Sequence, residues 1–175
     1  RFPPRSLGGN FYVMTTAVSF QNISRYFGPV RAVDDVTLDI AEGEFFAKWQ
    51  RAKGTFAPSK TRSDPIEKIS PATPQRVAVD EAVECINCGV CYAACDTVRW
   101  NEDYLGPAAL NRAWTLVNDV KDAGNKQRLA AVSANGGCHA CHTHQSCQQH
   151  CPKALNPTAS IAGLMLTTDC MVAEL

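Results

Sequence analysis

The sequence predicts a mainly α-helical protein with a small β-strand fragment at its N-terminus, and three observations carry that expectation. Apolar residues alternate with polar ones before residue 47 but recur at helical spacing after residue 79. Proline and asparagine stand where helices would start. Eight of the nine cysteines lie between Cys85 and Cys151, leaving only Cys170 outside that stretch.

At 175 residues the chain has room for one domain and some additional sequence. Seventeen Lys and Arg balance seventeen Asp and Glu, so no net field would recruit a polyanion, and no nucleic-acid partner is expected. With 45% apolar residues the chain can bury a modest core. No apolar run approaches the roughly 18 residues a membrane span needs, so no transmembrane segment of its own is expected. The opening RFPPRSLGGNFYVM lacks the apolar centre of an export signal. An odd cysteine count without such a signal argues against a disulfide framework and for metal ligation.

Residues 1–47 read as a β fragment. Val18 and Phe20 alternate with polar neighbours, as do Val36, Leu38 and Ile40, and Glu42-Gly43 turns into Glu44-Phe45-Phe46-Ala47. Residues 48–78 read as an extended basic connector. Lys48, Arg51, Lys53, Lys60, Arg62, Lys68 and Arg76 face only Asp64 and Glu67, and Pro58, Pro65, Pro71 and Pro74 exclude a long helix. Such a segment serves as a solvated linker or as a partner-binding arm. Residues 79–175 read as helical. One helix begins at Pro107, with Leu110, Ala113, Val117 and Val120 on one face and Gly124 as its stop. A second covers Lys126 to Val132. A third follows the Asn156-Pro157 start, with Ile161, Leu164 and Met165 as its apolar stripe.

The chemistry lies in two cysteine runs. Cys85-x2-Cys88-x2-Cys91-x3-Cys95 is repeated as Cys141-x2-His144-x2-Cys147-x3-Cys151-Pro152, with a histidine in the second slot. This is the spacing of bacterial-type ferredoxins, in which three thiolates wrap one cluster and the fourth reaches the other. That exchange assigns Cys85, Cys88, Cys91 and Cys151 to a [4Fe–4S] cluster, and Cys95, Cys141 and Cys147 to a second. Three thiolates suit a [3Fe–4S] cluster, although His144 could ligate a fourth iron. Zinc takes four ligands and fits seven in-frame cysteines poorly. Cys138-His139-Ala140-Cys141-His142 matches the c-type haem signature, but taking Cys141 for haem would orphan Cys95. Cys138 is then a surplus thiol, and Cys170 is read as a small buried hydrophobe.

From about Phe45 onward the chain resembles the iron–sulfur subunit of succinate dehydrogenase and fumarate reductase, through CINCGVCYAAC, WNEDYLGPAAL, AACHTHQSCQQHCPK and ALNPTASI. The resemblance implies an α-helical ferredoxin domain with a [4Fe–4S] and a [3Fe–4S] cluster on the cysteines named above. It implies electron transfer between a flavoprotein subunit and quinone at membrane anchor subunits. A peripheral place on the cytoplasmic face of the inner (cell) membrane goes with that role. Trp100 and His142 match family positions near the quinone; an indole N–H donates and an imidazole relays protons.

The chain departs from the family at Asp96, where many members have proline, and at Cys138 and His144. No C-x4-C-x2-C run stands upstream, so no [2Fe–2S] cluster is expected in this chain. Residues 17–47 instead resemble the opening strands of an ABC-transporter ATPase, with Phe27 at the adenine-stacking position. No G-x-x-x-x-G-K-[ST] loop occurs, so the chain is not read as an ATPase, and no catalytic residue is assigned. Two other functions fit the cysteine pattern: a two-cluster redox subunit of the glycolate oxidase or heterodisulfide reductase type, and a metal-stabilised structural module that docks to partners.

Overall fold

Alternation in the first part of the chain corresponds to a ribbon in which Thr16–Phe27 (β1) pairs antiparallel with Val30–Ala41 (β2). Val18 stands opposite Ile40 and Phe20 opposite Leu38, with bulges interrupting the register. The computed structural model describes residues 16–27, 30–41, 43–66 and 68–172, and only the backbone of the two strands and of residues 170–172. The Phe27 side chain and the Gly28-Pro29 link lie outside that description, as does the Cys170 side chain. Residues 1–44 form one unit and residues 45–175 a second.

The second unit begins in a helix where strand character was expected to run on to Ala47. Glu44–Arg51 (α1) carries an acid in its first turn and Lys48 and Arg51 in its last, matching the helix dipole. Helical spacing brings Phe45 and Trp49 together with their ring centroids 6.0 Å apart, and Phe45 meets Tyr92 edge-on at 5.4 Å. Lys48 is buried with its ammonium 5.3 Å from the Tyr92 ring centre.

Packing also claims the start of the basic segment, which is therefore not an extended connector throughout. Ala52 is fully buried. The guanidinium of Arg128, itself in the core, donates to the carbonyls of Lys53 (3.0 Å) and Thr55 (3.2 Å). It also grips both carboxylate oxygens of Asp122 at 2.8 and 3.0 Å. Asp122 in turn accepts the Ala57 amide, and Ala57 and Ser59 pair with Ala123 and Lys121. Beyond Ser59 the stretch up to the helix Pro74–Val79 (α2) is largely exposed.

Around the cysteines the elements are single turns: Val90–Ala93 (α3), Asp96–Trp100 (α4) and, later, a turn at Ser146–Gln149. The framework is three longer helices, Pro107–Val117 (α5), Asn125–Ser133 (α6) and Pro157–Val172, which with the turn Ser146–Gln149 as α7 is α8. Leu110 and Ala113 of α5 pack with Leu129 and Val132 of α6 and with Ile161 and Leu164 of α8. Gly163 lets α8 approach closely, since a Cβ there would stand 2.6 Å from the Trp114 ring. The first helix stops earlier than its periodicity suggested. The Asn118 side chain donates to the Trp114 carbonyl and caps α5, which leaves Val120 exposed outside it. Gly124 precedes α6 instead of ending α5.

The Arg128–Asp122 pair sets an acid dependence. Burial alone would raise the Asp122 pKa, but hydrogen bonds from Arg128, Ala57 and Gly124 and the guanidinium charge outweigh it and hold the carboxyl below its usual range. A depressed folded pKa stabilises above the unfolded value of about 3.9 and loses that contribution as pH falls through the folded value. Asp122→Asn leaves the buried guanidinium without its counter-charge. It should cost about 3–5 kcal/mol at neutral pH in urea unfolding, and the gap to wild type should narrow below about pH 4.

Candidate metal centre

The two cysteine runs follow one backbone path. A 3-10 turn ends at the first cysteine in each, Ala82–Glu84 before Cys85 and Cys138–Ala140 before Cys141. The second and fourth residues after that cysteine are left-handed in both: Asn87 (φ 58°) and Gly89 (φ 74°), then Thr143 (φ 58°) and Gln145 (φ 62°). A β-branched threonine in that region costs on the order of 1–3 kcal/mol, the kind of strain found where a site demands it. There it turns the Thr143 amide onto the Cys141 sulfur at 3.4 Å. The cysteine in the third slot of each run then sits in a single helical turn, Cys91 in α3 and Cys147 in α7.

Between them the runs wall two cavities, and each cavity draws on both runs. Cys85, Cys88 and Cys91 line the first, together with Cys151 from the second run. Cys141 and Cys147 line the second, together with Cys95 from the first. His144, in the slot equivalent to Cys88, also lines the second cavity. Helix α5 holds this arrangement: buried Asn111 donates to the Ala82 carbonyl (3.2 Å) and accepts from the Ser160 hydroxyl (2.8 Å), tying the turn before Cys85 to α8.

Electrostatics tests what such cavities would accept. Burial, then the charges of Cys85, Cys147 and Cys88, push the Cys91 thiol up to about 12. Burial raises Cys147 as well, with the Cys141 and Cys95 charges adding to it and the Thr158 hydroxyl, 3.4 Å from its sulfur, opposing. Thiolates crowded in a low-dielectric space need positive charge among them, and a cationic group that binds sulfur supplies it. Among the described residues no three His, Cys, Asp or Glu side chains close on a single-ion site. The sulfurs instead stand in two groups, four thiols at one and three at the other, and that donor set fits iron–sulfur clusters.

Residues 84–156 match the 4Fe-4S dicluster domain family. The dicluster segment contains all eight clustered cysteines. Over 158 residues the chain is 28% identical to the mitochondrial succinate dehydrogenase [ubiquinone] iron-sulfur subunit 1 of Oryza sativa subsp. japonica, covering 88% of this chain. The chain spans 56% of that relative's length. Since 88% of the chain is more than residues 45–175 contain, the likeness reaches upstream of Phe45, into the unit that carries the ribbon. Among the described residues no helix is long and apolar enough to cross a membrane.

Cys138 stands apart from both cavities. Its register matches Ala82 in the first run, and it is fully buried in the core with its sulfur 3.8 Å from the Thr168 hydroxyl. Burial holds its thiol in the protonated form. Trp100 ends α4 with 74% of its surface exposed and meets His144 edge-on at 6.2 Å, while His142 lies 6.0 Å from His144. The three rings form a surface group at the rim of the second cavity.

Sequence reasoning missed Asn111, Thr158 and Tyr104, which support the sulfurs from outside the cysteine runs. Only an asparagine on the apolar side of a predicted helix gave a signal, because a buried amide has to find partners. Asn111→Ala would strand the Ala82 carbonyl and the Ser160 hydroxyl. It should cost about 2–4 kcal/mol, read as a lower thermal midpoint of the cluster-loaded chain.

Proposed function

We propose that the chain transfers electrons, one at a time, through a [4Fe–4S] cluster held by Cys85, Cys88, Cys91 and Cys151 and a [3Fe–4S] cluster held by Cys95, Cys141 and Cys147. Its setting is the iron–sulfur subunit, or part of it, of a succinate dehydrogenase or fumarate reductase, working between a flavoprotein subunit and quinone at a membrane anchor. One observation supports this most: each cavity is closed by the last cysteine of the other run.

When bound, such clusters supply one-electron chemistry. The protein binds them, excludes water and fixes hydrogen bonds on the sulfurs. His144 facing the second cavity where a fourth thiol would stand favours the three-iron form there. The exposed rings of Trp100 and His142 beside that cavity would offer a donor and a proton relay, which supports a quinone contact on this face. No nucleotide chemistry is proposed for residues 17–47, which lack a phosphate-binding loop.

The purified chain should carry about seven irons with matching sulfide, and the oxidised protein should show the paramagnetic signal of a three-iron cluster. Cys151→Ser should remove about four irons and leave that signal, while Cys95→Ser should remove the signal and about three irons. A Cys151→Ser chain that keeps its cubane and loses the oxidised signal would show that the fourth cysteines do not cross.

A further inference from the structure

A groove lies between α2 and the C-terminal half of α5. Buried Val79 and Leu116 form its floor, and Ile69, Val83 and Val120 stand exposed along it. A second hollow shares Val83, Arg112 and Thr115 with this groove and ends at Cys85 and Asn87. The two therefore make one depression that leads from Lys121 to the first cradle.

Its charge is one-sided. Among the described residues that line the groove, Arg76, Arg112 and Lys121 stand against one acid, Asp119. The Arg112 Nε donates to the Gly54 carbonyl at 3.2 Å, which fixes that side chain where the two hollows join. The Ser59 amide donates to the Lys121 carbonyl at 2.8 Å, so the basic segment, with Lys60 and Arg62, starts beside Lys121. The nearby acids are engaged locally. Asp119 accepts the Lys121 amide at 2.9 Å, Asp64 accepts the Thr61 amide and hydroxyl, and Asp80 stands 4.0 Å from Arg76.

An apolar strip open to water inside a charged rim is the anatomy of a protein-binding surface. Nucleic acid would gain from the cations but not from the aliphatic floor. We propose that this groove docks an acidic segment of a partner polypeptide. Its aliphatic side chains seat on Val79, Val83 and Val120, and its carboxylates meet Arg76, Arg112 and Lys121. Because the depression ends at Cys85, the docked partner stands beside the first cavity. Use of the groove for electron exchange there rests on the cluster reading above.

The test is selection of random short peptides displayed on phage against the full cluster-loaded chain, followed by fluorescence anisotropy of the enriched peptides. These should combine Asp or Glu with Leu, Ile or Val, and their binding should weaken as salt rises. Arg76→Glu combined with Lys121→Glu should weaken binding on the order of tenfold. Val120→Ser changes no charge, yet it should also weaken binding severalfold, which general attraction to a positive surface would not produce. If the double variant fails to fold, Val120→Ser and the salt dependence decide. Enriched peptides without acids, acidic peptides indifferent to these substitutions, or a labelled DNA oligonucleotide bound in preference to them would each overturn the proposal. A wild-type chain that binds acidic peptides but carries no iron or sulfide upholds the groove and overturns the cluster reading. A loaded chain that enriches no acidic peptide overturns the groove alone.

Discussion

Closing each cavity with a cysteine from the other run is the constraint on which the second unit depends. Cys151 lies more than fifty residues beyond Cys91, so no local turn can bring them together. The route back runs through α5 and α6, whose apolar faces share one core with α8. The Asn111 amide converts that packing into position. It links α8 through Ser160 to the turn that delivers Cys85, so the helical core and the first cavity share one hydrogen-bonded joint.

The two runs are near copies in backbone, and the copy explains their differences in sequence. Left-handed residues at matching positions fold each run into a cradle whatever side chain it carries, and glycine, asparagine, threonine and glutamine all serve. The extra cysteine of the second run falls on the position of Ala82, where a small buried side chain is needed. Its sulfur faces the core while Cys141 faces the cavity, so the C-x-x-C-H match does not aim both thiols at one group.

Much of this was legible along the chain, for definite reasons. The helices at Pro107, Asn125 and Pro157 announce themselves by period and by the residues at their starts, both local properties. That each cavity draws on both runs follows the ferredoxin spacing, because two-residue and three-residue gaps dictate which way a sulfur turns. The fate of residues 48–59 was not legible. Seven basic residues and four prolines over 48–76 describe a solvated strand of chain unless something distant binds its carbonyls. That partner, Arg128, lies more than seventy residues away in sequence. Tyr104 was hidden for a similar reason: it sits in a short loop, and only the fold buries it in the wall of the second cavity.

The second unit is held in two ways of different kinds. Core packing of the longer helices, with the Arg128 network on one flank, touches only Cys95 and Cys141 among the cavity thiols, and only at its edge. The cradles have less of such support. Their helices are single turns, too short to persist by backbone hydrogen bonding alone, and the second cradle holds a threonine in an unfavourable conformation. A group gripped by their sulfurs would complete that order, so cluster binding and local folding would be coupled at the cradles more closely than in the core. A protein arranged this way can keep its scaffold rigid and its hydrogen bonds to sulfur fixed, which is what electron transfer asks of a site that makes and breaks no bonds.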